Sequence, residues 1–255
     1  MKDLHDTGPG LIETGTKLIS HPRSLDSLGT SLSTKTYANC GNPPLVNMLD
    51  KECVTVLDVG CGSGDNARLS EHQGHRRKFY GITLSPAECR AAATVMTQCW
   101  VEDVETSSLE CIGGRTFDAI IFSHVLEHLK DPSSVISKFL PYLGPKGKIL
   151  IAVPNVAVWR QRLQFMLGRF QYDEEGILDK THLRFFTYYS ADKYLINGNA
   201  NLRLIEKTVE GSVPLWFLRR RILTANFRAW CDKAGCIVFP NLFGGQILLK
   251  AERTS

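Results

Sequence analysis

The sequence contains no long hydrophobic run, no paired cysteine motif and no strong excess of one charge. No stretch approaches the roughly 18 apolar residues that a membrane-spanning helix needs, and the first ten residues lack the apolar core of a signal peptide. The eight cysteines show no CxxC spacing, so neither a zinc cluster nor a disulfide framework is expected. A net charge of +4 is too small to indicate nucleic-acid binding. We therefore expect a cytoplasmic protein with no stable membrane insertion and no nucleic-acid partner.

Short apolar runs, separated by helical patterns, begin near residue 43. This alternation is typical of βαβ units around a mostly parallel sheet. Runs that are apolar throughout suit strands that helices cover on both faces. The expected fold class is therefore α/β, a doubly wound, seven-stranded, mostly parallel sheet. Its strands are predicted at residues 54–59, 78–83, 99–101, 117–123, 148–153, 201–209 and 245–251. Helices are predicted to start near Gly64, Ser85, Pro132 and Ser190, and a capping side chain precedes a proline at Ser85-Pro86 and at Asp131-Pro132.

The chain also contains an N-terminal arm and two insertions. Residues 1–42 lack a sustained period and are interpreted as an arm or cap, and residues 43–255 as the main domain. Two aromatic and basic segments, at about 154–190 and 211–240, interrupt the alternation of strands and helices. Long connections inside a compact domain are usually functional, so we expect a helical lid over the substrate. Ordinary helical hairpins or a homodimer contact are the alternatives.

A glycine-rich turn, G-x-G-x-G at residues 60–64, follows the first predicted strand and precedes a helix. Open α/β sheets bind ligands at this carboxyl edge. Glycines let a ligand approach the backbone, and the amides of a helix N-terminus attract a carboxylate. A dinucleotide site would show G-x-G-x-x-G, and residues 65 and 66 are Asp and Asn instead. An oxidoreductase is therefore disfavoured, although the turn alone indicates only a nucleotide-binding fold.

Four motifs in order resemble those of the class I methyltransferases that use S-adenosylmethionine (SAM). They lie at residues 56–64, 100–104, 117–129 and 143–155, and the resemblance extends from about residue 52 to 250. It implies SAM as cofactor, with the first motif close to the methionine moiety and Asp103 and Val104 at the adenine ring. The cofactor-binding residues that it implies are Asp58, Gly60, Cys61, Gly62, Gly64, Thr83, Leu84, Asp103, Val104 and Ser123.

One position departs from the family pattern. The family usually carries Asp or Glu at the end of the second strand, where the carboxylate accepts hydrogen bonds from both ribose hydroxyls, and this sequence has Thr83. A hydroxyl can make only part of that contact. Similar segments occur in methyltransferases that act on lipid acyl chains, so Thr83 and Leu84 are expected to flank the ribose. A plain strand end, with another residue at the ribose, is the alternative.

In methyl transfer the cofactor carries the reactivity, so the protein must align the acceptor and remove its proton where it has one. Histidine is the natural base near neutral pH. His124 and His128 follow the fourth predicted strand beside Glu127, and their i, i+4 spacing predicts one shared helical face. The H-x-x-E-H pattern is also compatible with zinc, but we expect no metal, because this segment is common in methyltransferases that use none. A structural, helix-capping role is the alternative for His128.

His182 is the third candidate base. Residues 176–187 resemble a segment of bacterial methyltransferases of polysaccharide and natural-product pathways. The resemblance places Asp179, His182 and Arg184 towards the acceptor, with His182 as base or hydrogen-bond donor. A capping turn that holds the lid is the alternative. Tyr37 and Asn155 complete the predicted substrate-binding residues.

The leading hypothesis is an enzyme that O-methylates a small molecule or a sugar-containing acceptor in a biosynthetic pathway. RNA or protein methylation is a second hypothesis, because residues 75–78 and 219–221 carry local positive charge. A non-catalytic SAM-binding or scaffold protein is a third, because Thr83 replaces the usual acid. Weak membrane association through the basic amphipathic residues 216–223 is a fourth.

Overall fold

A computed structural model describes residues 41–214 and 216–254. Residues 1–40 of the predicted arm, with Tyr37, lie outside the described residues. The strands are β1 (Thr55–Val59), β2 (Lys78–Thr83), β3 (Gln98–Val101), β4 (Phe117–Ser123), β5 (Leu143–Pro154), β6 (Leu202–Gly211) and β7 (Gly244–Arg253). The helices are α1 (Pro43–Val46), α2 (Asp65–His72), α3 (Pro86–Ala92), α4 (Pro132–Phe139), α5 (Trp159–Met166), α6 (Ala191–Leu195), α7 (Trp216–Ile222), α8 (Ala225–Val238) and α9 (Pro240–Phe243).

The seven strands form one sheet in the order β3-β2-β1-β4-β5-β7-β6. Strands β1 to β5 pair in parallel, whereas β7 lies antiparallel between β5 and β6. The predicted doubly wound, mostly parallel α/β fold is therefore confirmed. Strand β5 begins five residues before its predicted start at residue 148, because the register to β4 shifts after the first pair and the residues after Leu143 form a bulge.

Local sequence explains where the crossover helices begin. The Ser85 hydroxyl accepts a hydrogen bond from the Glu88 amide (3.3 Å), and a carboxylate oxygen of Asp131 accepts one from the Ser134 amide (3.1 Å). A proline follows each of the two capping residues at the first helical position, where its missing N–H costs nothing. The predicted starts of α3 and α4 are confirmed, because the caps need only neighbouring residues.

The core lies on both faces of the sheet. Along β1, Val56 packs with α1 to α3 on one face, and Leu57 and Val59 pack on the other, beside the α4 residues Ile136 and Phe139. The side chains of a strand alternate between the faces, so Asp58 points to the same face as Val56. This alternation directs the one acidic residue of β1 towards α2, beneath the glycine-rich turn.

The two predicted insertions contain helices. Residues 154–190 contain α5 and a turn-rich segment, and residues 211–240 contain α7 and α8 and reach the start of α9. Their role as a lid stays a prediction. Among the described residues, no helix is both long and apolar enough to cross a membrane.

Candidate active site

The glycine-rich turn needs backbone conformations that favour glycine. Gly60, Gly62 and Gly64 have φ values of +75°, +51° and +87°, in the left-handed region. The amides of Gly60 and Cys61 both donate to the carbonyl of Ile82 in β2, at 2.8 and 2.9 Å. The turn is therefore held against the carboxyl end of the neighbouring strand.

The space beside the turn suits a bound ligand. A Cβ atom at Gly62 would meet no described atom within 4 Å. Gly64 is the N-cap of α2 and offers no side-chain hydrogen bond to the amides of the first turn. Such amides, at the positive end of the helix dipole, bind anionic groups. The turn therefore fits the carboxylate of an amino-acid moiety that approaches the backbone.

Asp58 lies fully buried beneath this turn. One carboxylate oxygen accepts a hydrogen bond from the Asn66 amide group of α2 (3.0 Å), and the other has no hydrogen-bond partner among the described residues. Burial raises the pKa of Asp58 to about 7, against the lowering effect of the Asn66 hydrogen bond. Asp58 therefore joins β1 to α2 and keeps a carboxyl group that exchanges its proton near neutral pH.

The end of β2 contains a carboxylate that sequence reasoning missed. The hydroxyl of Thr83 donates to a carboxylate oxygen of Glu88 at 2.7 Å, and both side chains are buried. Glu88 lies in the first turn of α3, where the Ser85 cap begins the helix. Leu84, by contrast, is 55% exposed. An acid five residues after the strand end, just inside a predicted helix start, was the signal that could have identified Glu88.

The predicted adenine contact lies after β3. A carboxylate oxygen of Asp103 accepts a hydrogen bond from the Glu105 amide at 2.9 Å, and the carbonyl of Val104 accepts one from the Lys138 ammonium at 2.8 Å. Asp103 is exposed and Val104 is buried. The structure thus holds this acid in a fixed turn at the same edge of the sheet as the glycine-rich turn.

Two thiols meet beside the turn. The Cys61 and Cys99 sulfur atoms lie 3.8 Å apart, and a Cβ at Gly81 would lie 2.5 Å from the Cys61 sulfur. The hydrogen bond from Cys61 lowers the pKa of Cys99 to about 7, against the effect of burial. Burial and the same contact raise the pKa of Cys61. Cys61 is therefore a packing residue whose thiol lies over the glycine of β2.

A polar network closes the end of β4. The Asn42 side-chain oxygen accepts from the Leu45 amide, so its amide nitrogen faces the Gln246 side-chain oxygen at 3.0 Å and the Ser123 hydroxyl at 3.4 Å. The same Gln246 oxygen lies 3.0 Å from Nε2 of His124. Because that oxygen only accepts hydrogen bonds, Nε2 of His124 carries a proton.

His124 also contacts a carboxylate through its second nitrogen. Nδ1 lies 3.2 Å from Oε1 of Glu127, whose side chain is 1% exposed. Partial burial lowers the pKa of His124, but the hydrogen bond and charge of Glu127 outweigh it, so the pKa is raised above its ordinary value. Both ring nitrogens face oxygen acceptors, which favours the imidazolium form.

The prediction that His124 and His128 share one helical face is wrong. His124 has a φ of +54°, rare for a residue with a side chain, and a short 3₁₀ turn over Leu126–His128 follows it. The His124 ring contacts Gln246 in β7, whereas the His128 ring contacts Thr181. The two rings therefore contact different segments, because a left-handed residue and a 3₁₀ turn replace the expected α-helical turn.

His128 instead packs against His182, the third candidate base. The rings of His128 and His182 lie 4.7 Å apart between centroids. The Thr181 hydroxyl links them to Asp179: it lies 3.0 Å from Nδ1 of His128 and donates to the carboxylate at 2.7 Å. Burial opposes ionisation of Asp179, but the Thr181 hydrogen bonds and the two imidazoles hold its pKa below the ordinary value. The structure thus brings together the histidine motif and the 176–187 segment.

The remaining predicted substrate residues already make contacts within the protein. Asn155 is fully buried, and its amide donates to the Gly244 carbonyl (2.7 Å) while its oxygen accepts from the Ala157 amide. The guanidinium of Arg184 donates to the carbonyl of Lys130. These contacts connect the 154–190 insertion to β7 and to the loop after β4.

The two basic clusters also include structural arginines. Arg77 donates to the carbonyls of Cys53 and Asp50 and to the Ser70 hydroxyl. Arg219 pairs with Asp232 at 2.9 Å. These side chains therefore take part in intramolecular contacts that a sequence count of positive charge does not reveal.

Comparisons with known proteins give the family and the fold that the sequence motifs predict. Residues 24–206 match the model of a family described as a methyltransferase domain. A ubiquinone biosynthesis O-methyltransferase of Xanthomonas oryzae pv. oryzae is 32% identical over 114 residues, 42% of this chain and 46% of the relative. The chain thus spans about half the length of the curated relatives that it matches.

Two solved structures have a similar fold. A SAM-dependent methyltransferase from Archaeoglobus fulgidus is 18% identical, with a TM-score of 0.51 over 80% of this chain and 87% of its own. The plantazolicin methyltransferase BpumL, solved with S-adenosylhomocysteine (SAH) and a triazolic desmethylPZN analogue, is also 18% identical, with a TM-score of 0.51 over 84% of this chain and 81% of its own. At this identity the likeness concerns the fold alone.

Proposed function

Because the chain belongs to the methyltransferase-domain family, we propose that it is an enzyme that transfers a methyl group from SAM to a hydroxyl group of a small-molecule acceptor. The observation that carries the proposal is the geometry of the glycine-rich turn within the matched domain. No atom of the described residues lies within 4 Å of a Cβ built at Gly62, and Gly64 leaves the N-terminus of α2 without a capping side chain. This turn stands at the carboxyl edge of β1, where sheets of this kind bind ligands.

The residues around the turn suit the three parts of SAM. The amides at the start of α2 would hold the methionine carboxylate, and Asp103 with the Val104 amide would hold the adenine. Glu88 would supply the ribose carboxylate that Thr83 lacks, with Thr83 orienting it through their hydrogen bond. SAM supplies an activated methyl group, so the protein has to bind SAM and the acceptor, align them and exclude water from the site.

The acceptor side of the proposal lies at the loop after β4. We propose that the acceptor hydroxyl is bound beside His128 and His182, whose rings face each other. His124 acts instead as a positioning residue, because both of its nitrogens already contact acceptor oxygens. A relative that is named an O-methyltransferase supports a hydroxyl acceptor, and a sugar-containing acceptor fits the same chemistry. The cytoplasm is the compartment that we propose.

A pair of glycine variants tests the cofactor site. Gly62 and Gly74 both have positive φ, and a Cβ at either would meet no described atom within 4 Å. Gly62→Ala and Gly74→Ala therefore carry similar backbone strain, but only Gly62 lies in the turn. We expect wild type and Gly74→Ala to bind SAH alike, and Gly62→Ala to bind it about tenfold more weakly by calorimetry.

Methyl transfer is measured separately with methyl-labelled SAM and a panel of phenols, hydroxy acids and sugars. Transfer of label to a hydroxyl of one acceptor class is the expected result. Failure of the wild-type protein to bind SAH would contradict the cofactor proposal. Binding without transfer to any member of the panel would favour the non-catalytic alternative.

A further inference from the structure

Three side chains converge after the end of β4: Glu127 and His128 are neighbours in the chain, and His182 lies 54 residues after His128. One ligand atom each of Glu127, His128 and His182 lies within 4.8 Å of the other two. The backbone holds the cluster together, because the amides of Leu183 and Arg184 both donate to the carbonyl of Glu127, at 2.8 and 2.9 Å. The cluster is therefore built by paired main-chain contacts between two segments.

The hydrogen bonds of the two imidazoles determine where their protons lie. Nδ1 of His182 lies 3.0 Å from the carbonyl of Ile177, which only accepts, so Nδ1 carries the proton. The Thr181 hydroxyl gives its proton to Asp179, and it therefore accepts one from Nδ1 of His128. In the neutral form, both rings thus keep a lone pair on Nε2. An outer hydrogen bond from Nδ1 to a carbonyl or to a carboxylate-linked group is the usual support of a metal-binding histidine.

Glu127 contributes a buried carboxylate to the cluster, and its two oxygens differ in their hydrogen bonds. Its side chain is 1% exposed, and Oε1 contacts His124. Oε2 is buried and has no hydrogen-bond partner among the residues that the structure describes. A buried carboxylate oxygen without a partner is costly, so a positively charged ligand at this position would stabilise it.

We propose that Glu127, His128 and His182 bind a divalent transition-metal ion of the Zn²⁺, Mn²⁺ or Fe²⁺ class. Two imidazoles and one carboxylate are a ligand set that such ions accept, and three protein ligands leave coordination positions for water or another oxygen. This proposal departs from the expectation that no metal binds, because the spacing of the H-x-x-E-H motif does not reveal His182. The histidine that completes the set comes from the other segment.

The role of this metal rests on the proposed function. The open coordination positions would bind the hydroxyl of the acceptor and lower its pKa, so that its proton would pass to solvent water and its oxygen would accept the methyl group without a free histidine base. Metal binding itself requires only the three side chains, so it is tested without any acceptor.

The test is calorimetric titration of ZnCl₂ and of MnCl₂ into untagged, EDTA-dialysed protein near neutral pH. We expect one saturable site per chain in the wild type. His128→Gln and His182→Gln should each weaken zinc binding by about 100-fold. Thr181→Val keeps all three ligands and removes the hydroxyl that connects His128 to Asp179, so it should weaken zinc binding by about tenfold. His75→Gln is the matched control, since His75 is an exposed histidine outside the cluster and its loss should leave binding unchanged.

The outcomes separate the two proposals. Thermal melting of each variant in EDTA checks that it folds, and the wild-type titration decides the question even where a variant does not fold. No saturable binding in the wild type, or unchanged binding in both histidine variants, overturns the metal site. Calorimetric binding of SAH to the same EDTA-treated protein is the independent measurement. SAH binding without zinc binding removes the metal site only, whereas zinc binding without SAH binding removes the proposed function only.

Discussion

The two halves of the carboxyl edge of the sheet are built in different ways. At the ends of β1 and β2, backbone conformation and capping within a few residues shape the site, as at Gly60 and Gly64. At the end of β4, side chains from distant segments shape it, as where His128 meets His182. The first half therefore resists substitution because of backbone sterics, and the second depends on hydrogen bonds and charge. Three predictions test this difference.

The largest effect is expected at Gly60. A Cβ there would lie 2.2 Å from a methyl carbon of Val125, and its φ is +75°. Gly60→Ala should lower the free energy of unfolding by about 4 kcal/mol, because positive-φ strain adds to overpacking. Gly74→Ala, with strain alone, should cost about 1 kcal/mol. Urea denaturation measures both.

A second variant separates strain from contact at this position. Gly60→Ala combined with Val125→Ala should recover part of the lost stability, because the clash disappears while the positive φ remains. Equal losses for Gly60→Ala and Gly74→Ala would show that the clash with Val125 does not constrain this half of the edge.

A smaller effect on the free energy of unfolding is expected for substitution of Asp58, and this effect depends on pH. Its pKa in the folded protein is about 7, raised chiefly by burial, and a carboxyl in the unfolded chain has a pKa near ~3.9. The wild type should therefore lose stability as the pH rises from the unfolded-state pKa towards the pKa of Asp58 in the folded protein. Asp58→Asn keeps an acceptor for Asn66 and should be more stable than the wild type at about pH 8, on the order of 2 kcal/mol.

The dependence of stability on pH should have the opposite sign at Asp118, which lies at the amino end of β4. Its pKa is lowered, because hydrogen bonds from Val54 and Thr55 outweigh the effect of burial. Asp118→Asn should therefore be less stable than the wild type near neutral pH, and the difference should shrink as the pH falls and the carboxyl takes up its proton. Chemical denaturation over a pH series measures both variants. The same sign for both variants would contradict the protonation states assigned to these two carboxyl groups.

The smallest effect is expected at His124, in the half built by side chains. Its pKa is raised by Glu127, so its stabilising contribution is present below the ordinary histidine pKa and is lost as the pH rises through the raised value. The difference in unfolding free energy between wild type and His124→Gln should therefore decrease as the pH rises from the ordinary histidine pKa through the raised pKa of His124. A ring-proton NMR titration should place the pKa of His124 above the ordinary histidine value, and Glu127→Gln should lower the pKa of His124. A His124 titration unchanged by Glu127→Gln would show that this contact does not hold the charge.

The sequence by itself determined the family, the seven strands along the chain and the local conformation of the glycine-rich turn. Caps such as Ser85 and Asp131, and the glycines at 60–64, act over a few residues, so their effect can be derived from neighbours in the chain. The strand pattern follows from alternation and burial, which are also local. These features were predicted because their physical cause lies within one short segment.

Only the tertiary structure decided the other half. The side chains of Asn42 and Gln246 lie 204 residues apart in the chain and together fix the proton on His124. The positive φ of His124 overturned the expected helical face. His182 reaches His128 because the 176–187 segment folds back onto the loop after β4, a contact that depends on the whole sheet. The chemistry of these side chains depends on which distant residues come into contact. The spacing of residues along the chain does not reveal such contacts.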